Sequence, residues 1–159
     1  MENITAKVSC FARAYHYKNS TSPIFADTAA EALLGQDYDR IAESMTQGVG
    51  FFLPGFNGSP EEGLRLIVDR QLSPSVLGRS AYCERMLKNE IRLGCRQCVI
   101  FASGYDTFTI RNSNAPFPCM KSICRKCWPT SSGGSKKPDW NRGRFMFPAI
   151  FRMVHGRII

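Results

Sequence analysis

Gln97-Cys-Val-Ile-Phe-Ala-Ser-Gly-Tyr-Asp-Thr107 is a short apolar run that stops at a small-residue turn carrying a carboxylate. Strands of open, parallel α/β sheets end this way, and ligands of such sheets bind just outside the strands' carboxyl ends. The spacing predicts a strand over 98–102, with Ala102, Ser103 and Gly104 as the turn. Gly104 can take a positive φ at little steric cost, while Asp106 and Thr107 offer polar groups to a ligand or a cap to the next helix. The same residues also describe a plain strand followed by a capped helix, so the pattern alone leaves both readings open.

Working outward, the preceding residues read as helices. Ser59-Pro60-Glu61-Glu62 joins a cap, a proline at the first helical position and a glutamate at N3, and Leu64, Ile67 and Val68 follow at helical spacing. A helix is expected over 60–71. Ser73-Pro74 repeats the start signal, and Val76, Leu77, Tyr82, Met86, Leu87 and Ile91 run to a stop at Gly94. Further upstream, Asp27 is expected to cap a short helix over 28–34 that Gly35 ends. A helix feeding straight into a buried apolar strand is the pattern of an α/β sheet covered on both faces.

The chain has 159 residues, the size of one domain. Its first residues lack an apolar leader-like run, and no stretch is long and apolar enough to span a bilayer, so a cytoplasmic protein is expected. Seven cysteines, an odd number, fit reduced thiols rather than a disulfide framework. The net charge of +8 is unevenly placed. Residues 1–118 hold 12 Lys and Arg against 12 Asp and Glu, whereas residues 119–159 hold 9 against Asp139 alone. Both tryptophans, Trp128 and Trp140, and the run of small residues from Ser131 to Ser135 also lie beyond Pro118. The composition breaks there.

Leu77-Gly-Arg-Ser-Ala-Tyr-Cys-Glu-Arg-Met-Leu87, with Ile91-Arg-Leu-Gly-Cys-Arg-Gln-Cys-Val-Ile-Phe-Ala-Ser-Gly-Tyr-Asp-Thr-Phe108, resembles the leucine carboxyl methyltransferase family. That family comprises class I methyltransferases that use S-adenosylmethionine and includes protein-carboxyl and polyketide O-methylating members. Phe25-Ala-Asp-Thr28, Met45-Thr-Gln-Gly48 and Gln71-Leu-Ser-Pro-Ser75 resemble its amino-terminal helical extension, so the likeness covers about residues 1–114. Its cofactor loop usually reads Gly-x-Gly-x-Asp-Thr; here Ala102 replaces the first glycine, while Gly104, Asp106 and Thr107 match. The resemblance implies an α/β fold in three parts: a helical cap over 1–72, the first strand-loop unit of a Rossmann-like domain over 73–118, and a remainder that is missing. It implies S-adenosylmethionine as cofactor, with Ala102, Ser103 and Gly104 under the methionine moiety, Asp106 near its amino group and Arg79 paired with its carboxylate. The expected partner is a small-molecule or carboxylate-bearing methyl acceptor, with neither nucleic acid nor membrane.

The second half of such a site is an acid about 20 residues further on that binds the ribose hydroxyls. From Ala115 onward there is neither that acid nor an evident strand. Moving the reading frame to the third base of each codon changes this. Met120 followed by Lys121 then forces Glu, Cys127 with Trp128 forces Leu, and Trp128 with Pro129 forces Ala. Allowed codons between them permit Glu-Ile-Asp-Leu-Pro-Glu-Met-Leu-Ala, which resembles the family's second strand with its ribose acid. The same shift over 144–159 permits Val-Tyr-Val-Pro-Cys-Asn-Leu-Ser-Asp-Gly-Ser-Trp, which resembles its third strand. The expectation is therefore a frame change near Pro118, with 119–159 an out-of-frame, poorly ordered basic tail and little cofactor binding by the chain as it stands.

A reading from another class uses Cys95-x-x-Cys98 and Cys124-x-x-Cys127 as a four-cysteine zinc site in a nucleic-acid-binding module. Against it, Cys98 begins an apolar strand, where cysteine behaves as a small hydrophobe. His16, between two tyrosines, fits a packed residue better than a base. Lys7 and Arg13 are read as solvated surface charges, with reach to cofactor or substrate the alternative. The aromatic stretch from Gly48 to Gly58 fits a loop over a substrate or local packing. No catalytic residue is assigned.

Overall fold

Helix α1 (Ile4–Asn19) forms the axis of the fold. Asn3 caps it by accepting the Ala6 amide at 3.0 Å, and its middle is buried on every side, at Cys10, Phe11, Ala12, Arg13, Ala14 and His16. The small residues let neighbouring helices approach closely, while Phe11 packs against Tyr38 and Tyr15 with ring centres 5.1 and 5.7 Å away. This computed structural model describes residues 3–95, 97–101 and 103–112, and the backbone of 119–122, 153–154 and 157–158. The chain forms two units, Met1–Cys127 and Trp128–Ile159.

Around α1 lie α2 (Ala30–Leu34), α3 (Asp37–Gln47), α4 (Val49–Phe52), α5 (Pro60–Ile67) and α6 (Ser73–Arg92). Their shared core includes Leu34, Tyr38, Met45, Leu64, Val68 and Val76. The expected capping box at α5 is present: Ser59 Oγ accepts the Glu62 amide at 3.2 Å and Glu62 Oε2 accepts the Ser59 amide at 3.0 Å. The expected break before Ser73 is absent. A π-helical turn, Val68–Leu72, joins α5 to α6, with the Ser73 amide bonded to the Val68 carbonyl. In a continuous α-helix Pro74 would clash with the Arg70 carbonyl and leave it without a donor, and the wider turn makes room for the ring. Ser73 therefore caps nothing, and its buried hydroxyl has no hydrogen-bond partner among the described residues.

Asp27 does accept the Ala29 amide at Oδ1 (3.4 Å), but α2 begins at Ala30, two residues later than expected. The cap position of α2 belongs to Ala29, which makes no side-chain cap bond. The aromatic stretch contains α4, where Phe51 is exposed and meets Phe52 edge-on at 5.3 Å. Phe56 and Val49 press on Gly63, where an added Cβ would lie 2.8 Å from the Val49 methyls. For these two side chains local packing is the role observed.

Gly94, at φ +98, ends α6 and leads into β1 (Cys98–Phe101). After α7 (Phe108–Arg111) the chain returns as β2 (Cys119–Ser122), parallel to β1 with Cys98 opposite Cys119 and Phe101 opposite Ser122. This strand corrects the expectation that none follows Ala115. The rest of the expected basic tail lies mostly outside the described residues. Within the second unit, β3 (Met153–Val154) pairs antiparallel with β4 (Arg157–Ile158). No helix among the described residues is long and apolar enough to cross a membrane.

Candidate functional site

At the carboxyl end of β1 the chain reverses direction within four residues. The Asp106 amide donates to the Ser103 carbonyl at 2.7 Å, closing a tight turn in which Gly104 takes φ +48. A left-handed residue at that place favours glycine. Ser103 is buried, and its hydroxyl has no hydrogen-bond partner among the described residues. Asp106 Oδ1 accepts the Phe108 amide at 3.0 Å as α7 begins, while the cap position itself belongs to Thr107. Ala102 lies outside the described residues. Arg79 stands exposed on α6, with no hydrogen bond or ion pair among the described residues, so none joins it to the turn.

Beneath the turn is a charged cluster that the sequence reading did not anticipate. The Asp27 side chain is fully buried. Its Oδ2 accepts Arg13 Nε and the Thr107 hydroxyl, each at 2.7 Å, and its Oδ1 lies 3.2 Å from Arg111 Nε. Arg111 also donates to Thr107 Oγ1 at 3.0 Å, forms a two-pronged pair with Glu84 of α6, and lies over the Phe25 ring at 4.9 Å. Arg13 spends its other nitrogens on the Tyr105 carbonyl at 2.7 Å and the Ser9 carbonyl at 3.3 Å. Two guanidinium groups facing two carboxylates keep the cluster neutral, which makes its burial tolerable.

The expectation of a solvated Arg13 is thus overturned. The available signal was a lone arginine inside the apolar run Cys10-Phe-Ala-Arg-Ala14. Lys7 is also engaged, pairing with Asp37 at 2.6 Å with little of its side chain exposed. His16 is packed as expected, accepting the Ile24 amide at Nε2 (3.0 Å) and facing Ser20 Oγ from Nδ1 (3.2 Å). It lines a cavity of about 510 Å³ between α1 and α6, with Ser73, Leu77 and Gly78 opposite. For the zinc reading, Cys124 and Cys127 lie outside the described residues. The Cys95 thiol donates to the Gln97 carbonyl at 3.1 Å. Among the described residues no cluster of three or more His, Cys, Asp or Glu is placed to hold a metal.

The family profile described as leucine carboxyl methyltransferase matches residues 6–118, from α1 through the turn to the compositional break. The chain belongs to the leucine carboxyl methyltransferase family. It is 38% identical over 115 residues to YktD of Bacillus subtilis (strain 168), whose name ascribes to it S-adenosyl-L-methionine-dependent methyltransferase activity. The match covers 69% of this chain but 38% of that protein's length. No solved structure matches the chain.

Proposed function

We propose that this chain carries the helical cap and the first half of the cofactor site of an S-adenosylmethionine-dependent O-methyltransferase acting on a carboxyl or hydroxyl group. We further propose that its residues from about Cys119 are translated in a shifted frame. The observation that carries the reading is the β1 turn, with its left-handed Gly104 and the unpartnered, buried Ser103 hydroxyl, inside the segment that matches the family. Support for the second part comes from the charge break at Pro118 and from the family strings that the shifted frame permits beyond it.

The residues present fit one end of the cofactor. A turn of small residues lets a ligand approach the backbone, the Ser103 hydroxyl is a spare donor or acceptor, and Arg79 is an uncommitted cation suited to a carboxylate. When bound, S-adenosylmethionine supplies a methyl group activated on its sulfonium. The protein's part is to align acceptor and donor and to exclude water. A carboxylate acceptor is already nucleophilic at neutral pH and needs no base, whereas a hydroxyl acceptor calls for one. No acid lies between Asp106 and Asp139 to hold the ribose hydroxyls, so the site is half furnished.

Calorimetric titration with S-adenosylmethionine tests both parts. This chain is expected to show no binding in the micromolar range, while a version made from the same DNA with the frame restored near Pro118 is expected to bind. Micromolar binding by the chain as it stands would overturn the expected lack of binding, and DNA in which no single-base insertion or deletion restores the permitted strings would overturn the shifted-frame proposal. Absence of binding by the restored protein would overturn the cofactor reading.

A further inference from the structure

We infer that Arg13 is a positioning residue for the β1 turn: it fixes the orientation of the Tyr105–Asp106 peptide and so couples helix α1 to the loop that seats the cofactor. The inference rests on the cofactor reading above for its functional meaning, but its geometry stands independently.

A peptide group is planar, so its carbonyl and its amide point in linked directions. The Tyr105–Asp106 group is held at both ends. Its carbonyl accepts Arg13 Nη2 at 2.7 Å, and its N–H donates to the Ser103 carbonyl at 2.7 Å. With both ends fixed, the plane cannot flip without breaking two hydrogen bonds. Gly104, the residue with the most conformational freedom in the turn, sits directly before this plane, and the same turn without the brace would sample other φ values.

Arg13 can hold the carbonyl because it is itself held. Asp27 Oδ2 takes Arg13 Nε at 2.7 Å, and the Ser9 carbonyl takes Nη1 at 3.3 Å, so the three nitrogens of one rigid fork reach three separate points. Asp27 also takes the Thr107 hydroxyl, gripping the residue on the far side of the turn. The turn is thereby clamped at Tyr105 by an arginine and at Thr107 by that arginine's own counter-ion. A lysine ammonium is a single compact charge and cannot reach Asp27 and the Tyr105 carbonyl in the same way.

Hydrogen exchange read by mass spectrometry on the full 159-residue chain tests this. The reporters are the Asp106 amide, bonded to Ser103, and the Phe108 amide, bonded to Asp106. In Arg13→Lys, exchange over 104–108 is expected to rise tenfold or more, while α3 stays within about twofold of the parent. Unchanged exchange at the turn, or acceleration spread evenly over all helices, would overturn the inference. A second measurement needs no variant. As urea is raised below the unfolding transition, the turn and the middle of α1 should lose protection in one step. A turn that opens while α1 stays protected would show that the tie has no hold. Failure of the cofactor titration would leave these exchange results intact and would remove only the identity of the ligand.

Discussion

Burial at the centre of α1 pushes the Cys10 thiol up to about 12, with the nearby Arg13 charge opposing the shift only in part. The thiol is fully enclosed and donates to the Ala30 carbonyl at 3.5 Å. The sign of the pH effect follows from linkage. Between its ordinary value of 9.0 and about 12 the unfolded chain has lost this proton while the folded chain keeps it. The contribution to stability is therefore complete below about pH 9 and is lost as the pH rises towards 12. Burial raises Tyr15 and Tyr38 in the same direction, so part of the alkaline loss is theirs. Denaturation followed from pH 8 to 12 should show a falling midpoint, with a shallower fall in Cys10→Ala. An equal slope in the variant would contradict the assignment. Asp27 is the other residue that the fold transforms. Its partners Arg13 and Thr107 lie 14 and 80 residues away along the chain, and removing it would leave two buried guanidinium groups without their shared carboxylate. Losses of that kind run to about 3–5 kcal/mol.

The π-helical turn sets the rotation of α6 about its axis, and with it the side that Glu84 presents to Arg111. Deleting the exposed Arg70 would remove the residue that widens the turn, bring the Pro74 ring against the carbonyl four residues before it and turn everything downstream by about 100°. Helical circular dichroism should persist while the thermal midpoint falls, because Val76 and Leu77 leave the core and the Glu84 pair is lost. An unchanged midpoint would refute this account of the turn. What the sequence reveals here depends on range. The capping box at Ser59 and Glu62 is three residues wide and reads directly, as do the apolar strand and the Gly104 turn. The Ser73-Pro74 pair carries an equally clear start signal, yet tertiary packing of α6 on α1 favours continuity and converts the signal into a π turn. Of the Arg13–Asp27–Thr107 cluster only the lone arginine inside an apolar run is legible locally, since its partners lie 14 and 92 residues away and an aspartate before a helix has an ordinary surface explanation.

Over the whole molecule, the apolar surface is not fully covered. Val99 and Phe101 lie two residues apart, and so on one face of β1, and are 44% and 50% exposed; Tyr82 on α6 is 55% exposed. Among the described residues β1 has a strand neighbour on one edge only. Exposed apolar strands of this kind pair with other chains. Sedimentation velocity should show self-association that grows with concentration, and replacing both Val99 and Phe101 with lysine should reduce it. Monomeric behaviour of the parent at every concentration would count against this. The charged cluster has the opposite character, because every member from Arg13 to Arg111 precedes the break at Pro118. During synthesis Arg13 emerges 92 residues before the carbonyl it will hold, and Asp27 emerges 80 residues before Thr107. A product that stopped before Tyr105 would keep the Arg13–Asp27 pair but lack the Tyr105 carbonyl, the Thr107 hydroxyl and Arg111 that complete the cluster. A chain that diverges only after Arg111 holds the full set, so residues 13–111 alone tie the knot between the first helix and the first strand.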